Sequence, residues 1–80
     1  MDKFLDENIP KLVAQYKALA DEYDTSILYI KSSRKDAERL FSAFLLEHTE
    51  LFGADNYNYW YPIFRSKFNE RMDKVIKNER

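Results

Sequence analysis

The sequence predicts an all-α protein, a small three-helix bundle formed by one helical domain over residues 1–80. Three observations carry that reading. Apolar residues recur at steps of three and four in three separate stretches, which places them on helix stripes. The breaks between the stretches hold helix caps and turn residues, Asp24-Thr25-Ser26 and Gly53-Ala54-Asp55-Asn56. Six Phe, six Tyr and one Trp give a short chain enough apolar area for a core.

The first stripe is Leu5, Ile9, Leu12, Tyr16, Leu19 and Tyr23. Pro10 is tolerated if the helix begins there, because first-turn N–H groups need no intrahelical partner. Helix one is therefore placed at residues 10–23, capped by Asn8 or Asp6, after a short turn at 2–7. The next segment, Ile27-Leu28-Tyr29-Ile30-Lys31, is ambiguous. Ile27 and Ile30 continue the helix stripe, which is the favoured reading, yet β-branched and aromatic residues also suit a short strand or extended segment at 25–31.

Helix two opens at Ser33, with Asp36 three residues on in a capping-box position. Ala37, Leu40, Phe41, Phe44, Leu45, His48, Leu51 and Phe52 form its broad face. Gly53, the one glycine, sits where a left-handed helix stop belongs. Pro62 requires the last helix to start around residues 58–61. Tyr61, Phe64, Phe68, Met72 and Val75 mark its stripe, with Trp60, Ile63 and Ile76 at the edges, and the tail Lys77 to Arg80 frays.

Composition excludes most chemistry. With no cysteine there is neither a disulfide framework nor a thiolate zinc site. The single histidine, His48, lacks the second histidine of a metal-binding helix and reads as a boundary residue. Asp21, Glu22 and Asp24 form an acidic group, as do Glu47 and Glu50, but calcium loops need regularly spaced ligands and a glycine at the bend. One glycine cannot build a phosphate loop. No enzymatic activity, cofactor or metal is expected.

Thirteen basic residues against fourteen acidic ones lack the electrostatic footprint of a nucleic-acid binder. Arg65 to Arg80 holds six basic residues, but Glu70, Asp73 and Glu79 are interspersed, as on an ordinary solvated face. The acidic, interrupted start is unlike a signal peptide, and no apolar run is long enough for a membrane span, so a soluble cytoplasmic protein is expected.

What remains is NYNYWYPIF, residues 56–64. Consecutive helical residues point about 100° apart, so Tyr57, Tyr59, Trp60 and Tyr61 cannot all face one core. Tyr and Trp suit a half-wet position and are enriched at binding hot spots. The leading expectation is a non-catalytic protein-binding module (an adaptor, inhibitor or regulatory subunit) whose contact surface is Tyr57, Tyr59, Trp60 and Tyr61, with Phe64 as supporting anchor. The partner is another protein or a second copy, and a purely structural homodimerising bundle is a further reading.

An alternative takes Thr25 to Lys31 as a strand followed by two helices. That order resembles the ribbon-helix-helix repressors, and the resemblance implies a dimer that pairs the strands and inserts them into the DNA major groove. Its outward residues would be Ser26, Leu28 and Ile30, or Thr25, Ile27, Tyr29 and Lys31. Neither set is rich in the Arg, Lys, Asn or Gln that read base edges.

Overall fold

A computed structural model describes residues 1–31, 34–49 and 56–78. Among them the chain forms α1 (Asp2–Tyr23), a short 3-10 turn (Ile27–Ile30), α2 (Arg34–Glu47) and α3 (Tyr57–Asn78), with no strand. The all-α, three-helix prediction therefore holds. The body measures 43 × 20 × 18 Å.

Helix α1 is a single helix from Asp2, where the sequence pointed to a start at Pro10. Proline inside a helix costs on the order of 3 kcal/mol. Upstream of it, however, Phe4 and Leu5 are buried in the core, and each such side chain is worth roughly 1.5–3 kcal/mol. Burial wins, although Pro10 has no N–H to offer the Asp6 carbonyl. The Asn8 amide donates to the Phe4 carbonyl at 2.8 Å and steadies the same turn.

The helix then stops without glycine. Asp24 adopts the left-handed conformation, φ 52° and ψ 45°, and the Thr25 N–H closes onto the Ala20 carbonyl at 2.9 Å. Aspartate is among the few residues that visit this region routinely. Residues 25–31 are consequently neither a continued helix nor a strand. Ser26 caps the 3-10 turn by accepting from the Leu28 N–H, while Ile27 and Ile30 pack on the core.

Helix α2 ends at Glu47, before the glycine stop expected at Gly53, and His48 closes it by bonding to the Phe44 and Leu45 carbonyls. The predicted cap Ser33, and Leu51, Phe52 and Gly53, lie outside the described residues. Helix α3 begins at Tyr57, one residue before the expected window, and Pro62 lies inside it. Its buried line is Phe64, Phe68, Met72 and Ile76. Ile76 is thus central rather than peripheral, while Tyr61 and Val75 are half-buried.

Side-chain pairs fix the arrangement. Phe4 meets Phe64, and Asp2 and Asp6 meet Arg71, so α1 and α3 run parallel. Phe4 also meets Phe44, and the Tyr16 hydroxyl donates to Asp36, so α2 runs antiparallel to α1. The helices share one aromatic layer in which Phe41 lies 5.0 Å and Phe44 5.9 Å from Phe64. Phe41, Phe64 and Phe68 are fully buried.

The layer also sets a stagger. Helix α3 has seven residues before Phe64 and α1 only two before Phe4, so α3 begins about 7 Å beyond α1. At the opposite end α1 outruns α3 by a similar length.

Three outcomes are expected. Phe64→Ala should lose roughly 3–5 kcal/mol and leave the chain largely unfolded, as read by circular dichroism during urea titration. Tyr16→Phe removes the tie to Asp36 and should cost about 1 kcal/mol in the same assay. Burial first, and then the Asp36 hydrogen bond, raise the Tyr16 phenol above its ordinary 10.0. A raised acid contributes stability that is complete below its unfolded value, so stability should decline as pH climbs past about 10, as the unfolded chain gives up a proton that the fold retains. Thermal melts between neutral and alkaline pH should show a shallower decline in Tyr16→Phe; equal slopes would rule out the linkage.

Candidate protein-binding surface

The sequence-predicted contact residues all lie at the start of α3, but they divide into three depths. Phe64 is 0% exposed and belongs to the core, so it supports such a surface from beneath and cannot touch a partner. Tyr57 and Tyr61, one turn apart, stack with ring centres 5.7 Å apart and planes inclined by 7°. Both also pack on Phe41, at 5.2 and 5.5 Å. They form a lid over the end of the core, Tyr61 half-buried and Tyr57 41% exposed.

Tyr59 and Trp60 point elsewhere. Tyr59 is 65% exposed and stands edge-to-face against Trp60, with ring centres 5.1 Å apart and planes at 90°. Trp60 is half-buried, with one side packed against the hydrophobic core. The 100° step per residue produces this division: Tyr57 and Tyr61 share the face that leads to Phe64, and Tyr59 falls off it. Three of the four rings thus pack on the core, Tyr57 and Tyr61 against Phe41 and Trp60 by one side, and Tyr59 stands on Trp60 at the surface.

The stagger keeps them there. Trp60 and Tyr59 lie in the stretch of α3 that extends beyond α1, so α1 cannot cover them. From Asn56 to Phe64 no residue carries a charge, and this end of the helix is apolar with amide groups at its edge. One polar atom is in a costly position: the Tyr61 hydroxyl is buried with no hydrogen-bond partner among the described residues.

The remaining polar groups lie elsewhere. Lys67 and Arg71 bind Asp2, each at 3.2 Å, and Arg71 also reaches Asp6 at 3.2 Å. The Lys67 hydrogen bond and charge hold the Asp2 carboxyl below its ordinary 3.8. Such exposed pairs set helix register more than stability. His48 packs on Phe44 with ring centres 4.6 Å apart, as a boundary residue would. The groove beside it, about 250 Å³, is lined by Met1, Lys3, Phe4, Glu7, Glu47 and His48. Among the described residues no group of three or more His, Asp or Glu side chains could hold a metal ion. Among the described residues no helix is long and apolar enough to cross a membrane.

Two surface features escaped the sequence reading. Leu19 and Tyr23, placed on the core stripe of helix one, are exposed. Leu28 and Tyr29 are exposed as well, because the 3-10 turn directs only Ile27 and Ile30 inward.

The Tyr61 hydroxyl gives a direct test. Tyr61→Phe should leave stability unchanged or raise it by up to about 1 kcal/mol, since removing an unpartnered buried hydroxyl removes a desolvation cost. A comparable loss in the urea midpoint would reveal a partner for that oxygen. Comparisons of the chain with family models, with curated proteins and with solved structures found no match.

Proposed function

We propose that the chain is a non-catalytic protein-binding module that docks its partner on Tyr59 and Trp60, flanked by Tyr57 and Tyr61 and supported from below by Phe64. One observation carries the reading: Tyr59, 65% exposed, is held edge-to-face on Trp60, whose other side packs on the core. An aromatic pair fixed in this way offers contact area with little ordering entropy left to lose on binding. The absence of charge from Asn56 to Phe64 favours an apolar partner surface over nucleic acid, whose phosphates need basic neighbours.

The same uncharged character supports a second reading, self-association, because two copies could meet there without like-charge repulsion. The ribbon-helix-helix alternative loses its premise, since residues 25–31 form no strand.

A photo-crosslinking residue in place of Tyr59, in the cell of origin, separates these readings. The proposal expects one discrete heterologous adduct that is absent when the crosslinker replaces Lys11, an exposed residue of α1. A dimer-sized adduct would favour self-association, and identical patterns at both positions would sink both readings. Tyr59→Ala should change stability by no more than about 0.5 kcal/mol, as for other exposed positions, while weakening partner binding by tenfold or more.

A further inference from the structure

The seam between α1 and α2 carries a charge imbalance that the seam between α1 and α3 does not. On the α1–α3 seam each cation has a carboxylate: Lys67 and Arg71 bind Asp2, and Arg71 also meets Asp6. The α1–α2 seam holds a groove of about 250 Å³. Lys11, Leu12 and Gln15 line it from α1, and Asp36, Arg39 and Leu40 line it from α2. Steps of three and four along a helix share one face, so each set belongs to a single face of its own helix.

Two cations share this groove with one acid, and that acid is already engaged. The Tyr16 hydroxyl donates to Asp36. Arg39 comes only within 3.8 Å of the same carboxylate, beyond hydrogen-bond distance, and its side chain is 79% exposed. Lys11 and Gln15 make no ion pair or hydrogen bond among the described residues. Beneath them Leu12 and Leu40 are half-buried and pack on the core. Two other grooves lack this combination. Lys3 shares the one beside His48 with Glu7 and Glu47. In the one beside Pro10 and Val75, Arg71 meets Asp6 and Lys74 pairs with Glu70.

We propose that the α1–α2 groove binds a small monocarboxylate with an apolar body. The carboxylate sits between Lys11 and Arg39, whose guanidinium offers paired N–H donors at the spacing of carboxylate oxygens. The Gln15 amide supplies a neutral donor on the same wall. The apolar body lies on Leu12 and Leu40, where it removes their remaining surface from water. Asp36 limits the charge the groove accepts: a phosphate dianion would meet its repulsion and would leave the leucines uncovered. Volume limits the size, since the groove is smaller than the roughly 300–1,000 Å³ of drug-sized sites. The site is separate from the rings at the start of α3 and takes a small molecule rather than a protein.

Titration of the amide-labelled protein with sodium hexanoate at constant ionic strength, followed by NMR, tests the proposal. The controls are 1-hexanol, hexylammonium and inorganic phosphate. Saturating shifts confined to residues 8–15 and 36–40 are expected with hexanoate, half-complete at about 1 mM. Phosphate should bind at least about tenfold more weakly, and the alcohol and the amine should give no saturating shift there. Lys11→Gln and Arg39→Gln should each weaken hexanoate binding about fivefold, while the melting temperature stays close to that of the parent because both positions are exposed. No saturating shift with hexanoate, an equal response to hexanol, phosphate binding as tightly as hexanoate, or a Lys11→Gln, Arg39→Gln double variant that binds like the parent would each overturn it. None of these results bears on crosslinking at Tyr59, so the groove and the aromatic surface can fail separately.

Discussion

The contact among Phe4, Phe41, Phe44 and Phe64 is the constraint from which the rest of the structure follows. Each helix contributes to it: α1 through Phe4, α2 through Phe41 and Phe44, and α3 through Phe64. The rings meet at tilted and edge-to-face angles, which aromatic quadrupoles favour over face-to-face stacking. Once this layer is formed the axial position of every helix is set. Two parallel helices of 22 residues, joined through Phe4 near the start of one and Phe64 a third of the way along the other, cannot end level. Each therefore runs past the other at one end.

The polar ties refine this arrangement. Tyr16 binds Asp36 across the α1–α2 seam and fixes their relative rotation. Lys67 and Arg71 hold Asp2 and Asp6 on the α1–α3 seam, and Lys31 ties the end of the 3-10 turn to Asp73 of α3. Exposed ion pairs contribute roughly 0–1 kcal/mol each, against several for one buried phenylalanine. They choose among registers that the aromatic layer permits, and they could not hold the fold without it.

What could be read from the sequence follows the same division. Periodicity is a local property, and it located the apolar faces: Leu5, Ile9 and Tyr16 on α1, Ala37, Phe41 and Phe44 on α2, and Phe64, Phe68 and Met72 on α3 are all buried. Relative helix length and offset are not local, and there the reading failed. Leu19 and Tyr23 continue the stripe but have no helix opposite them. Pro10 marks a helix start by rule, and only the burial of Phe4 and Leu5 ahead of it shows that the start lies earlier. The end of α1 depended on one aspartate entering a left-handed conformation, which no glycine signalled. At the start of α3, helical geometry showed that the four rings of residues 57–61 must diverge. Which of them cover Phe41 and which face solvent depends on the position of α2 against α3, and on no pattern within the nine residues themselves.

The two staggered ends differ in charge. At the α3 end, the rings of residues 57–61 stand among asparagines, with no charge from Asn56 to Phe64. At the α1 end, Asp21, Glu22 and Asp24 are exposed along with Leu19 and Tyr23. A helix balanced against its own dipole would carry lysine in its last turn, where α1 has no basic residue. Instead the stagger exposes aromatic surface at both poles while the core between them stays closed. In that geometry the layer of buried phenylalanines sets how far each helix runs past the other.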